Sequence, residues 1–150
     1  MARILVANDN PDLVELCQSL LEHDGHVVET LTNGARVLEL TRTWRPDLVL
    51  LDWVMPKMDG GAATRALRAQ ASTASIPILM MSGSADGEAQ ARDAGADAFL
   101  CKPFRPSDLL RHVADLLQVT ARDPSHRRSS ESPLSWLRGR RPSGRSKRPS

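Results

Sequence analysis

Strand-like and helix-like patterns alternate five times along the first 120 residues, which restricts the chain to a small set of folds. The strand-like segments are short runs at residues 4–7, 26–30, 47–51, 76–81 and 98–101. Most lack the polar alternation of half-exposed strands, as strands covered on both faces do. The second run is more polar, which places it nearer an edge. The alternation predicts an α/β fold, in which helices cover both faces of a parallel sheet.

The intervening segments carry helix signals of their own. Asn10 is a suitable N-cap for the first helix, and Pro11 is a suitable first helical residue. Apolar residues then repeat at helical spacing and predict the stripe that packs on the sheet. This stripe consists of Leu13, Leu16, Cys17, Leu20 and Leu21. The other helices are predicted over residues 33–44, 61–70, 85–94 and after Pro106.

Charge divides the chain into two parts. Residues 1–120 carry 11 basic and 16 acidic side chains, a net of −5, whereas residues 121–150 carry 9 basic and 2 acidic ones, a net of +7. The second part also holds 8 Ser and 4 Pro but few apolar residues. It cannot bury enough apolar surface to offset the entropy lost on ordering. We therefore predict one folded domain over residues 1–120 and a disordered basic tail over residues 121–150.

Several features indicate the cellular compartment. The chain shows neither a signal segment nor a run close to the roughly 20 apolar residues of a membrane span. Cys17 and Cys101 form no metal or disulfide framework and are predicted to be small core side chains. His23, His26, His112 and His126 lack metal-ligand spacing and are interpreted as structural or solvent-facing. Together these features predict a soluble, cytoplasmic protein rather than an integral membrane protein.

Polar side chains follow four of the strand-like runs. Asn8 and Asp9 come after the first run, Asp52 after the third, Ser82 after the fourth and Lys102 after the fifth. The carboxyl ends of parallel strands share one edge of the sheet, where ligands of such folds bind. An acid at the tip of a buried strand is costly unless it is paired, metal-bound or chemically used. The four strand ends therefore predict one functional site.

These motifs resemble the receiver domain of two-component response regulators. The resemblance rests on residues 4–10, on residues 47–60, on Ser82 and on residues 95–104, and it covers about residues 2–119. The nearest type is the single-domain receiver, such as the chemotaxis response regulator. The resemblance implies a flavodoxin-like, doubly wound sheet of five parallel strands in the order 2-1-3-4-5, with five helices.

The family pattern also implies roles for individual residues. Asp52 is expected to accept the phosphoryl group, and Mg²⁺ is expected on Asp9, Asp52 and the backbone carbonyl of Val54. Ser82 and Lys102 are expected to hold the remaining phosphoryl oxygens. The Lys102–Pro103 bond is expected to be cis. Phe99 is interpreted first as a core aromatic, while the resemblance gives it, with Ser82, a switch role.

Partners follow from the same resemblance. Asp52 is expected to receive its phosphoryl group from a sensor histidine kinase or phosphotransfer protein. Phosphorylation is then expected to remodel the face made by helix 4, strand 5 and helix 5, where a target protein binds. The chain is thus a signalling module and not an enzyme, except that it assists its own Mg²⁺-dependent phosphorylation and dephosphorylation.

One residue departs from the family pattern. Most receivers have two consecutive acids where this chain has Asn8 and Asp9. Asn8 retains an oxygen that can hold the metal through water, but it carries no charge, so weaker Mg²⁺ binding is expected. An alternative function follows, that of a pseudo-receiver which binds proteins without being phosphorylated. Trp53, beside the acceptor, is bulkier than the usual aliphatic residue.

The basic tail supports a third hypothesis. Its arginines, among them Arg127, Arg128 and Arg138, are suited to the phosphates of nucleic acid or to an anionic membrane surface. Aromatic interleaving, which favours single-stranded nucleic acid, is limited to Trp136. A short docking motif at residues 133–137 is a further interpretation, and so is a solvated tail that folds back on the acidic domain.

Overall fold

The computed structural model describes the backbone of residues 1–122 and the side chains of residues 1–119. The strands are β1 (Arg3–Ala7), β2 (Val27–Leu31), β3 (Leu48–Asp52), β4 (Ile78–Ser82) and β5 (Ala98–Cys101). The helices are α1 (Pro11–His23), α2 (Val37–Trp44), α3 (Gly60–Arg68), α4 (Gly87–Ala94) and α5 (Pro106–Arg122), with a 3₁₀ turn at Gly34–Arg36. No helix within residues 1–122 is both long and apolar enough to cross a membrane. The tail hypotheses concern residues beyond this range and stay predictions.

All five strands are parallel and follow the order β2-β1-β3-β4-β5, which confirms the predicted fold and places β2 at an edge. Helices α1 and α5 cover one face of the sheet, and α2, α3 and α4 cover the other. Every residue of β3 is buried, because this central strand is covered on both faces. The sheet therefore delivers Asp52 to its carboxyl edge from the middle of the core.

Helix α1 begins as predicted, and of its predicted stripe only Leu16 fails to pack on the core, since Leu13 and Leu20 are partly buried against it. The Asn10 side-chain oxygen accepts the N–H groups of Asp12 and Leu13, at 3.0 and 3.3 Å. The buried residues are Val14, Cys17 and Leu21, whereas Leu16 is 44% exposed. The prediction that Leu16 packs on the sheet is therefore wrong. At about 100° per residue, Leu16 lies on the far side of the helix from Val14 and Leu21.

The two cysteines have different environments. Cys17 is fully buried in the core under α1, as predicted, and this burial raises the pKa of its thiol to about 11. Cys101 is exposed, so its assignment to the core is wrong. It is the last residue of β5, which is an edge strand, and only β4 pairs with it.

The described histidines fit the structural interpretation. The Nδ1 atom of His26 accepts the backbone N–H of Ala2 at 3.1 Å, and Nδ1 of His112 donates to the carbonyl of Asp108 at 2.8 Å. His23 is solvent-facing. His126 lies outside the described residues.

A buried ion pair ties α3 to the amino ends of β4 and β5. The guanidinium of Arg68 donates to Asp97 at 2.6 Å and to the carbonyls of Ala74, Ile76 and Gly95 at 2.9, 2.7 and 2.9 Å. Asp97 in turn accepts the N–H of Ile78 at 2.9 Å. The pair thus satisfies three loop carbonyls that burial would otherwise leave without donors. It holds β4 and β5 together at the edge opposite the candidate site.

Candidate functional site

The predicted site residues do meet at the carboxyl edge of the sheet. Ala7 pairs with Leu51 in the parallel register, so Asn8 follows opposite Asp52. Asp52 pairs with Met81, the residue before Ser82, and Ser82 pairs with Cys101, the residue before Lys102. The strand ends therefore form one contiguous row. Its members are Asn8, Asp52, Ser82 and Lys102.

The Asp52 carboxylate and the Lys102 ammonium form an ion pair at the centre of this row. Nζ of Lys102 lies 2.8 Å from Oδ1 of Asp52. The Asp52 side chain is only 4% exposed, while that of Lys102 is 31% exposed, so the lysine approaches from the solvent side. The backbone N–H of Lys102 donates to the carbonyl of Ser82 at 2.9 Å. The Lys102–Pro103 bond is cis, which confirms that prediction.

The electrostatics of Asp52 reflect its buried position. Desolvation raises the pKa of its carboxyl above the ordinary value, because burial disfavours the charged form. The hydrogen bond and charge of Lys102 oppose this effect, and the negative charge of Asp9 adds to it. Asp9 therefore lies close enough to Asp52 for their charges to interact. A cation placed between these acids would relieve both the desolvation and the repulsion.

The oxygen atoms available at this edge suit a hard cation. Asp9 is exposed, and the backbone carbonyl of Val54 receives no N–H from the described backbone. Mg²⁺ takes one or two carboxylates and retains several waters, which matches two acids and one carbonyl. No group of three or more His, Cys, Asp or Glu within residues 1–119 is placed to hold a metal. The residues fit Mg²⁺, with fewer charged ligands than a full acidic cluster.

Asn8 is fully buried beside Asp52, and its amide is oriented by the following turn. Its side-chain oxygen accepts the N–H of Asn10 at 2.8 Å. Its Nδ2 group is buried without a hydrogen-bond partner in the described part of the chain. The group without a partner is therefore a donor, whereas a cation, or the water bound to it, needs an acceptor. We therefore expect Asn8 to assist metal binding even less than the missing charge of the usual acid would predict.

Ser82 and Phe99 lie together beside helix α4. Oγ of Ser82 accepts the N–H of Ser84 at 3.0 Å, which leaves its hydroxyl proton to donate elsewhere. The half-buried ring of Phe99 packs against the start of α4 at Gly87. A Cβ at Gly87 would come 2.8 Å from the Phe99 ring and 3.0 Å from Cβ of Ser82. Both predicted switch residues thus border the same glycine.

The ring of Trp53 lies over the first turn of α3. A Cβ at Gly61 would come 2.5 Å from the Trp53 ring, so only glycine leaves room for it. Trp53 is half-buried, and its backbone N–H donates to the carbonyl of Met81 at 2.8 Å. Trp53 therefore covers the start of α3 directly after the acid, a position that the sequence did not reveal.

An apolar groove adjoins the site, and the sequence did not predict it. The groove has a volume of about 420 Å³ and is lined by Leu13, Leu16, Lys102, Pro103 and Phe104. It opens between the first turns of α1 and the loop from β5 to α5. The sequence pattern assigned Leu16 to the buried stripe of α1. The sheet covers a narrower face of this helix, so Leu16 lines the groove instead.

Comparisons with known proteins match this domain to receiver domains. The family model of the response regulator receiver domain matches residues 4–114. The chain is 37% identical over 133 residues to the DNA-binding dual master transcriptional regulator RpaA of Synechocystis sp.. That match covers 87% of this chain and 55% of RpaA. The chain spans about half the length of the curated relatives it matches.

Solved structures show the same likeness. The signal receiver domain of a histidine kinase from Syntrophus aciditrophicus is 31% identical, with a TM-score of 0.76 over 81% of this chain and 94% of that one. The receiver domain of a sensor histidine kinase from Pseudomonas aeruginosa is 28% identical, with a TM-score of 0.74 over 78% and 98%. The latter holds a magnesium ion in its active-site cleft.

Proposed function

The chain belongs to the family of response regulator receiver domains of two-component signalling, and on that premise we propose that Asp52 is its phosphoacceptor. Receivers are signalling modules that interact with histidine kinases or phosphotransfer proteins. The observation that carries the proposal is the Asp52 carboxylate, buried at the tip of β3 with the Lys102 ammonium 2.8 Å away.

The reaction expected at Asp52 is transfer from a phosphohistidine. A carboxylate oxygen of Asp52 forms a bond to phosphorus as the phosphorus–nitrogen bond breaks, and the imidazole of the partner leaves. Such transfers depend on position and charge neutralisation more than on covalent help from the protein. The Lys102 ammonium neutralises charge on a phosphoryl oxygen, and the Ser82 hydroxyl donates to another.

Asp9, Asp52 and the Val54 carbonyl are the proposed ligands of Mg²⁺, which supplies positive charge beside the phosphoryl oxygens when bound. The raised pKa of Asp52 matters here, because only the ionised carboxylate is a nucleophile. Lys102 favours the ionised form in the free protein, and loss of the lysine charge removes that support.

The output is proposed to run through Ser82 and Phe99. A phosphoryl group on Asp52 attracts the Ser82 hydroxyl, and Ser82 and the Phe99 ring both border Gly87 at the start of α4. A shift of Ser82 therefore changes the space open to the ring. The face formed by α4, β5 and α5 is the proposed docking surface for a target protein.

A pseudo-receiver remains the second candidate, and Asn8 is the observation that favours it. The site lacks one acid of the usual pair, and the Asn8 oxygen is already engaged by Asn10. If Mg²⁺ binds too weakly at cellular concentrations, the same fold can bind partners without phosphorylation. Asn8 contributes to the metal only weakly, through water, in the first proposal.

Intact-mass analysis distinguishes the two candidates. The full chain is incubated with millimolar Mg²⁺ and acetyl phosphate, and a gain of one phosphoryl group is expected. Asp52→Asn should remove this gain, whereas Asp59→Asn, which alters an exposed acid of the same connection, should retain it. A wild-type chain that gains no phosphoryl group, and whose tryptophan fluorescence does not respond to beryllofluoride, would exclude the first candidate.

A further inference from the structure

We propose that residues 133–137 of this chain, Pro-Leu-Ser-Trp-Leu, dock in the groove formed by Leu13, Leu16, Pro103 and Phe104. The groove is apolar and open, and Leu16 leaves 44% of its surface exposed at its rim. Beyond α5, the only sizeable apolar side chains are Leu134, Trp136 and Leu137, and they lie within four residues of one another. One compact apolar segment thus matches one apolar groove.

Charge complementarity supports an intramolecular occupant. Residues 1–120 carry a net charge of −5, while residues 121–150 carry +7. Asp12 is exposed one turn before Leu16 on the same face of α1, and Arg138 directly follows the apolar segment. The opposite net charges of the two parts favour approach of the segment to this domain, although Lys102 also lines the groove.

The chain is long enough to make this contact. Helix α5 begins close to the groove, and its 17 residues carry the chain about 25 Å away from it. The 11 residues at positions 123–133 reach as far as about 36 Å when extended. The segment can therefore return along α5 to the groove.

Tethering allows a weak contact to be populated. A segment tethered to its own site has an effective concentration on the order of millimolar, so a segment with millimolar intrinsic affinity is docked about half of the time. Three apolar side chains in an open groove are sufficient for affinity of this order.

Paramagnetic relaxation in the full chain tests the docking itself. A nitroxide is attached to Ser135→Cys in a Cys101→Ser background, since Cys101 is exposed and Cys17 is buried. Amide signals of Leu13, Leu16 and Phe104 should broaden at least twofold more than those of α3. The broadening should disappear in Trp136→Ser and in Leu16→Ser, the latter at a residue that the core leaves 44% exposed.

Three results would overturn the proposal. The first is uniform or absent broadening. The second is broadening that occurs only between separately labelled molecules, which would identify a second copy as the occupant. The third is salt-sensitive binding of duplex DNA or anionic vesicles by a tail that never broadens the groove signals.

Discussion

Restoring the missing acid by Asn8→Asp should strengthen Mg²⁺ binding by more than tenfold. Asn8 follows the Ala7–Leu51 pair of the register, so it lies opposite Asp52 at the strand spacing of about 4.8 Å. A dication held by Asp52 would lie roughly one strand spacing, about 4–5 Å, from the new carboxylate. Their attraction is about 2 kcal/mol even at the dielectric constant of water, which corresponds to about 30-fold in affinity.

Two local effects modify this expected gain in Mg²⁺ affinity. The position is fully buried, so desolvation and the nearby Asp52 and Asp9 raise the pKa of the new acid in the metal-free protein. Protons therefore compete with Mg²⁺, and the gain should grow as pH rises. The substitution also removes the Nδ2 donor that has no partner, a small compensating gain in stability. We expect lower thermal stability without Mg²⁺ and a larger Mg²⁺-dependent increase.

Tryptophan fluorescence provides the assay, because Trp53 directly follows the acid. Titration with Mg²⁺ yields the affinity of each variant, and Trp53→Phe identifies the contribution of this residue against the other tryptophans. Asn10→Asp is the matched control. It adds the same charge at an exposed N-cap that accepts aspartate equally well, and it should change the affinity less than threefold.

The reasoning is refuted if Asn8→Asp leaves Mg²⁺ affinity within about twofold of the wild-type value, since a charge at 4–5 Å cannot be so completely screened. It is also refuted if both variants tighten binding equally. That outcome would mean that the general charge of the domain, and not the position opposite Asp52, governs the affinity.

Two further substitutions test the electrostatics of the core. Because the folded state raises the pKa of Asp52, its ionised form destabilises the fold, and stability falls as pH rises from the unfolded value of 3.8 through the raised one. Asp52→Asn should therefore raise the melting temperature at pH 7 and change it little below pH 3. Lys102 loses its ion-pair partner in this variant, but its side chain is 31% exposed and stays solvated. A lower melting temperature at pH 7 would contradict the expectation. Arg68→Ala should cost about 3–5 kcal/mol in urea unfolding, because Asp97 is left as a buried charge without its cation. Exposed Arg65→Ala on the same helix should cost less than about 0.5 kcal/mol, and equal costs would rule out the ion pair as the cause.

The regular features of this protein followed from local patterns in the sequence. Apolar runs without polar alternation identified β1, β3, β4 and β5, although β5 is an edge strand, and the polar second run identified the edge strand β2. Asn10 and Pro11 located the start of α1 because capping depends on adjacent residues alone. The row of polar strand ends could be predicted for a similar reason, since parallel strands bring their carboxyl ends to one edge whatever their order.

Features that depend on neighbours from distant parts of the chain could not be predicted. Leu16 and Cys101 both fit the sequence pattern of core residues. The sheet covers only one face of α1, which leaves Leu16 exposed, and β5 is an edge strand, where Cys101 is exposed. The Asn8 amide lacks a partner because of what packs around it in the core, and the position of the Trp53 ring depends on Gly61 in the next helix.

The sequence alone thus determined the α/β architecture, the acid at the tip of the central strand and the charge contrast between the domain and the tail. Tertiary structure decided which side chains face the same space. It brought Lys102 within 2.8 Å of an acid 50 positions earlier, and it left Leu16 at the rim of a groove. The physical reason is that periodicity specifies which way a side chain points along its own element, whereas packing between elements specifies what it meets there.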